Sequence, residues 1–352
     1  MPKDTMTPKE RWEAVLNREK PDRVPMDYWA TSEATDKLMK HLGVGDMDEL
    51  FKRLHIDPGC AVGGRYVGPP ATAGEDIFGC RFRDVKYATG TYNECIHHPL
   101  AQYSSVEEID KNYTWPSPDW WTYGHIPKEI KGKEHLPVKG GGSEPFLKYC
   151  QLRGLEQGFA DLIEHPDIVH YCLDKLFGLA YENTRRIYEQ IPGKVMFAYV
   201  AEDMGSQESL LFSPKQLHEF LFPRMKRMMD LVHSAGAYVF HHSDGAIRPI
   251  IPDLIELGID VLNPVQWRCK GMDRLSLKRE FGGRLIFHGA VDNQQTLPFG
   301  TVKDVVEEVR YNLDVLNRGG GYILAPCHNI QAVSPPENIV TMYDTCYHEG
   351  WM

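Results

Sequence analysis

Two short stretches concentrate the side chains able to do chemistry. In Ala237-Tyr-Val-Phe-His-His-Ser-Asp-Gly245 a continuous apolar run ends in two imidazoles, a hydroxyl and a carboxylate before a glycine. Gly321-Tyr-Ile-Leu-Ala-Pro-Cys-His328 is built the same way and ends in a thiol and an imidazole. Such an apolar run reads as a buried parallel strand, and polar groups at the carboxyl ends of these strands are where α/β folds place their sites. Imidazole, thiolate and carboxylate together suit zinc, which keeps one position open when it is catalytic. His242, Cys327 and one carboxylate meet that description. Glu202 is the first choice for the carboxylate, and Asp244, which shares a short turn with His242, is the second. The plain alternative is an inert buried cysteine beside packed histidines.

Bringing these ends together takes a repeating framework. Strands are expected near 23–29, 59–62, 136–142, 195–200, 238–241, 261–263, 285–288 and 322–325. Helices are expected near 213–235, 247–257, 273–281, 301–316 and 335–348, and Pro214, Pro252 and Pro336 stand near three of their starts, where a missing N–H costs nothing. At the amino end, Thr7, Pro8 and Glu10 spell a helix cap. Eight strands predict an α/β fold of the (β/α)8 TIM-barrel kind, as a single domain over 1–352. A doubly wound open sheet is the main alternative. Residues 65–135 break the pattern with short β-prone pieces and aromatics such as Phe82, Tyr92, Trp115, Trp120 and Trp121. They predict an antiparallel excursion whose aromatics either line a pocket or simply pack. The triple glycine at 140–142 ends the third strand and matches no P-loop or dinucleotide fingerprint.

On a barrel, the loops after strands four to eight open at one face. They deliver Glu202 and Asp203, then His241, His242 and Asp244, then Asn263 and Gln266, then His288 and Asp292, and finally Cys327 and His328. A single histidine at such a place is ordinary core; agreement among several strand ends points to a site.

Composition sets the outer limits. The 352 residues carry a formal charge of −10 and an isoelectric point near 5.8, which disfavours nucleic acid as a partner. No long apolar run and no secretory leader are seen, so a cytoplasmic location is the default expectation. The eight cysteines are scattered, with no C-x-x-C pair, and are expected to be reduced.

Several segments resemble the uroporphyrinogen decarboxylase superfamily. They are Glu202-Asp-Met-Gly-Ser-Gln-Glu208, Leu211-Phe-Ser-Pro214, Phe240-His-His-Ser-Asp-Gly245, Ile251-Pro-Asp-Leu-Ile-Glu-Leu-Gly258, Leu262-Asn-Pro-Val-Gln266, Gly289-Ala-Val-Asp-Asn-Gln-Gln295 with Thr296-Leu-Pro-Phe-Gly300, and Leu324-Ala-Pro-Cys-His-Asn-Ile-Gln331. In the amino-terminal half only Pro21-Asp-Arg-Val-Pro25 matches. The resemblance implies a (β/α)8 fold and one of two chemistries. True decarboxylases grip substrate carboxylates with an arginine-rich segment of the R-Q-A-G-R-Y type. Here Gly63-Gly-Arg-Tyr66 is the nearest text, and Met26, Asp27 and Trp29 occupy the places expected for cations. The other branch holds zinc-dependent methyltransferases that work with corrinoid proteins and carry H-x-C-G after strand five. His242-Ser-Asp-Gly245 stands in register with that motif, with Asp244 in place of the cysteine, while Cys327 stands at the last ligand position. A harder ligand set favours Lewis-acid chemistry on an ether over organisation of a thiolate.

The resemblance therefore implies transfer of a methyl group from a methoxylated substrate, aromatic or aliphatic, to cobalamin carried by a partner corrinoid protein. The expected metal is Zn2+, held from among Glu202, His242, Asp244 and Cys327. Asp203, His241 and His288 are the candidate catalytic groups, and Tyr28, Asn263, Gln266, Asp292 and His328 the candidate substrate contacts. The chain has no D-x-H-x-x-G corrinoid motif of its own, and a homodimer is common in the superfamily. The competing readings are a metal-independent carboxy-lyase and a non-catalytic tetrapyrrole or corrinoid carrier.

Overall fold

The apolar runs at the centre of the sequence lie side by side in one sheet. The computed structural model describes residues 3–87 and 90–352. In chain order its strands are β1 (Cys60–Val62), β2 (Arg65–Tyr66), β3 (Arg81–Tyr87), β4 (Gly90–His97), β5 (Trp121–Thr122), β6 (Val138–Ser143), β7 (Phe197–Ala201), β8 (Tyr238–His242), β9 (Val261–Asn263), β10 (Ile286–Val291) and β11 (Tyr322–Pro326). Seven of these form a sheet in the order β1-β6-β7-β8-β9-β10-β11, every neighbouring pair parallel. All residues of β10 and β11 are buried, as expected for parallel strands covered on both faces.

Seven strands are seen where eight were expected. The eighth place, residues 23–31, is extended but paired only at single residues, Met26 with Leu324 and Ala30 with Ile330. Its backbone bonds to β11 through Asp27 N–H to Leu324 O (2.9 Å), and Met26 O accepts from Asp57 N–H (2.9 Å) just before β1. Pro25 withholds an N–H donor here, which keeps the segment from running as a regular strand.

A buried ion network fixes this segment. Asp57 accepts from Arg11, from Arg23 Nη1 at 2.8 Å and from Met26 N–H at 2.9 Å. Arg11 comes from the helix Pro8–Leu16, whose start is the expected capping box of Thr7 and Glu10. The same helix sends Trp12 into the lower end of the sheet's interior, stacked on Phe197 with ring centres 5.1 Å apart. Val15, Leu16, Phe240, Val261, Ile286 and Ile323 complete that plug.

The excursion over 65–135 is mixed rather than uniformly antiparallel. It holds the β3/β4 hairpin and the two-residue β2/β5 pair, together with the helices Val106–Asn112 and Ile126–Glu129. Some of its aromatics pack on one another, as Tyr66 does on Trp120 and Trp121 and Tyr113 on Trp115. Among the described residues no helix is long and apolar enough to cross a membrane.

Candidate functional site

Side chains alternate along a strand, and in β7 and β8 that alternation sorts the candidates. Phe240 and His242 face the interior, where Trp29 lies 6.0 Å and Tyr199 5.6 Å from the His242 ring. His241 faces the other way, donating from Nδ1 to the Val200 carbonyl (2.8 Å). Its Nε2 is buried without a partner, and burial lowers its pKa to about 4. His241, expected from its strand-end position to be a catalytic group, is a neutral core histidine that faces away from His242.

His242 stands at the end of a hydrogen-bonded relay. Its Nδ1 meets Asn263 Oδ1 at 2.5 Å. The Asn263 amide donates to His288 Nδ1 at 2.7 Å, and His288 Nε2 meets Asp27 Oδ2 at 3.1 Å. Trp29 Nε1 donates to that same carboxylate oxygen at 2.8 Å. An amide oxygen can only accept and an amide nitrogen only donate, so the relay fixes both tautomers. A neutral His242 ring thereby carries its proton on Nδ1 and turns Nε2, as an acceptor, to the mouth. Burial lowers the pKa of His288. Burial pushes Asp27 up, but the hydrogen bond and charge of His288, the charge of Lys139 and the hydrogen bond from Trp29 together outweigh it and hold the carboxyl below its usual range.

Nε2 of His242 looks onto two carboxylates and a second imidazole. One ligand atom each from His242, Asp244 and His328 lies within 4.8 Å of the others. Asp203 Oδ1 is 3.6 Å from His242 Nε2 and accepts from the Asp244 N–H at 3.0 Å. Asp244 Oδ1 is buried with no hydrogen-bond partner, and burial raises its pKa against the pull of His242 and His328. A buried oxygen without a donor is costly; a cation in the middle of these groups would satisfy it. Two imidazoles and one carboxylate, half-open at His328, form a donor set that zinc accepts with a position left free.

The turn carrying Asp244 is held by its neighbours. Gln266 Oε1 accepts from the Gly245 N–H at 2.8 Å, and Ser243 Oγ accepts from the Met204 N–H at 3.0 Å. Gly245, at φ +91°, passes so close to Gly205 that a Cβ would sit 2.4 Å from its carbonyl carbon. Gln266 therefore reaches the site through the backbone it holds.

Four other sequence candidates are engaged elsewhere. Cys327 Sγ donates to the Val265 carbonyl at 3.3 Å, and burial pushes its thiol well up. Its N–H still pairs with Val291 O, so strand alternation separates it from His328, and it is the imidazole that joins His242 and Asp244. Glu202 is buried and accepts from the Phe146 N–H at 2.7 Å, sealing the start of helix Pro145–Arg153; burial raises its pKa well above the carboxylate range. Asp292 accepts from the N–H groups of Gln294, Gln295 and Thr296 and from Arg268. Tyr28 bonds Thr35 at 3.0 Å and packs on Phe51 and Tyr343, on the opposite face from Asp27 and Trp29.

Asp27 and Trp29, which the sequence marks only as standing where cations would be expected, and Tyr199 and Lys139, which no motif marks, also line the interior beside His242. The signal available was the i, i+2 spacing of Asp27 with Trp29, which puts both on the face shared by Tyr199 and His242. These residues enclose an interior cavity of about 200 Å³ lined by Asp27, Trp29, Lys139, Phe197, Tyr199 and Phe240. A second cavity, of about 310 Å³, lies across Gly141 and Gly142 against Glu144, Lys148 and Asn183. Trp121 from the excursion lines that one. The smaller cavity shares its Trp29 and Tyr199 walls with His242.

The family model for Uroporphyrinogen decarboxylase (URO-D) matches residues 98–348. Uroporphyrinogen decarboxylase of Anaeromyxobacter sp. (strain Fw109-5) is 25% identical over 224 residues, 62% of this chain and 60% of that protein. Methylcobamide:CoM methyltransferase MtaA of Methanosarcina barkeri is 24% identical over 206 residues, 58% of this chain and 56% of that protein. The matches thus span about 60% of the length of these curated relatives. A solved methyltransferase from Methanosarcina mazei has the same fold, with a TM-score of 0.67 at 18% identity over 97% of this chain and 99% of that one. With its family model matched over well more than half its length, the chain belongs to the uroporphyrinogen decarboxylase family.

Proposed function

We propose that the chain is a methyltransferase that moves a methyl group from a methoxylated small molecule to a corrinoid carried by a separate protein. The observation that carries this reading is the convergence of His242, Asp244 and His328 around a buried, unpartnered carboxylate oxygen. Those three residues would hold zinc, with Asp203 beside them. Zinc bound there supplies a Lewis acid for the ether oxygen and makes an alkoxide or phenolate a better leaving group. The relatives named as methyltransferases support the choice of reaction.

The chain's own side chains do the rest. The Asp27–His288–Asn263 relay keeps Nε2 of His242 bare and its ring fixed. Trp29 and Tyr199 give the substrate apolar walls and keep water from the reacting oxygen. When the C–O bond breaks, its electron pair stays on oxygen, which then takes a proton. Asp203, half-exposed at the mouth, is placed to pass that proton in from solvent.

The reading is tested by incubating the protein with methoxylated arenes and cob(I)alamin and following the absorbance of methylated corrinoid. Methyl transfer that is lost in His242→Ala is the expected result. Carbon dioxide release from a carboxylated substrate without corrinoid would instead support a carboxy-lyase, the activity for which two of the relatives are named. The interior speaks against a porphyrinogen there, since Lys139 is the single cation lining the cavity and an octacarboxylate needs several.

A further inference from the structure

Cys80 and Cys95 approach each other from the two sides of the β3/β4 hairpin. Cys80 closes the turn before β3 and Cys95 lies in β4, where the ladder shifts register between Arg81, paired with His97, and Phe82, paired with Cys95. Both thiols aim at one acceptor. Cys80 Sγ donates to the Gln151 carbonyl at 3.4 Å and Cys95 Sγ to the same oxygen at 3.5 Å, and each thiol lies close enough to act as hydrogen-bond partner of the other. His98 Nδ1 donates to that carbonyl as well, at 2.8 Å, and stands 3.6 Å from Cys95 Sγ. A carbonyl oxygen offers two lone pairs, so three donors overfill it. The S–H groups are its weakest donors, and their loss leaves the imidazole bond in place.

Among the described residues no other two cysteines share an acceptor or bond each other, although all eight are free thiols. Exposure ranks the pair: Cys80 is fully buried and Cys95 only half-buried, so an oxidant in solvent meets Cys95 first. Burial pushes both thiols up, which keeps the thiolate scarce and makes exchange slow, on the order of hours.

We propose that Cys80 and Cys95 form a redox modification site, a thiol pair that a low-molecular-weight disulfide converts to an intramolecular disulfide. Cys95 sulfur attacks the oxidant, forming a mixed disulfide and expelling one small thiol. Cys80 sulfur then attacks Cys95 Sγ, the protein S–S bond forms and the second small thiol leaves. Two protein thiols are oxidised, one oxidant disulfide is reduced, and the two protein protons end on the departing thiols. The bond ties β3 to β4 beside the helix Pro145–Arg153, which carries Gln151. Ile77 and Phe78, just before Cys80, and Lys148 of that helix line the 310 Å³ cavity, so the bond also fixes one wall of that cavity.

The test exposes the folded full chain to glutathione disulfide, blocks the remaining thiols and maps the peptides without reduction. Two of the eight thiols are expected to disappear, with the Cys80 and Cys95 peptides linked, and dithiothreitol should restore both. Cys80→Ser should stop with one glutathione on Cys95, and Cys95→Ser should keep all its thiols. Should either serine variant fail to fold, its alanine counterpart takes its place, and the wild-type map decides by itself whether the link forms. Amide exchange in β3 and β4 should slow on oxidation. Eight surviving thiols, a link between any other pair, glutathione held on Cys95 of the wild type without closure onto Cys80, or equal oxidation of Cys95→Ser would overturn the inference; a link that leaves amide exchange unchanged would remove the fastening of the cavity wall.

Discussion

At the scale of residues, the site depends on one buried amide. Asn263 alone links His242 to His288, and through it Asp27 sets which nitrogen of His242 is bare. Asn263→Leu keeps the volume but removes both bonds, so the ring is free to turn and to carry its proton on Nε2. Metal affinity is expected to fall about 10- to 100-fold, the usual effect of losing a partner that orients a ligand, with the far-ultraviolet dichroism unchanged; an unaltered zinc affinity by competition with a chelator would show that the relay does not matter. His242, Asp244 and His328 were all legible as candidates because their types and strand-end positions speak for themselves. Which neighbour faces the interior was not, since a one-residue difference in register exchanges His241 for His242 or Cys327 for His328. Lys139 was invisible as an interior residue for the opposite reason: it is an ordinary charged residue until the register with Phe197 places it inside.

At the scale of elements, the strand ends are held by close backbone contacts. Gly142 has φ +127°, and a Cβ there would lie 1.8 Å from the Tyr199 carbonyl oxygen. Gly283, by contrast, has open space around it and no left-handed φ. Gly142→Ala is accordingly expected to yield little folded protein, with any soluble fraction melting several degrees lower, while Gly283→Ala melts with the parent. Two similar melting curves would mean that β6 and β7 can separate without cost. The strands from β7 onward were readable because each is a short apolar run closed by glycine or polar residues. Residues 23–29 read as a strand, but Pro25 helps limit the segment to isolated pairs. The excursion's aromatics gave no usable period, and helices and hairpin alternate there.

At the scale of the whole molecule, the amino-terminal segment that carries Asp27 and Trp29 is fastened by Arg11, Asp22, Arg23 and Asp57. Burial pushes Asp22 up, but hydrogen bonds from Arg11 and from the Thr5 and Met6 amides outweigh it and hold its carboxyl far below the usual range. A carboxyl depressed by folding contributes stability that is present above its unfolded pKa, roughly 4, and is lost as the pH falls below that. The urea midpoint of the wild type should therefore drop faster below about pH 4 than that of Asp22→Asn; parallel curves would remove this carboxylate from the acid response. Fastening at one end and a metal at the other would make the interior a single rigid site. The most direct measurement of the central claim is X-ray absorption at the zinc edge on the purified chain, alongside its Asp244→Asn and Cys327→Ala forms. The expected result is about one zinc per chain in a shell of nitrogen and oxygen at ~2.0–2.1 Å, kept in Cys327→Ala and lost in Asp244→Asn. A chain that transfers methyl groups at full rate without zinc, or a shell with sulfur at ~2.3 Å, would contradict it.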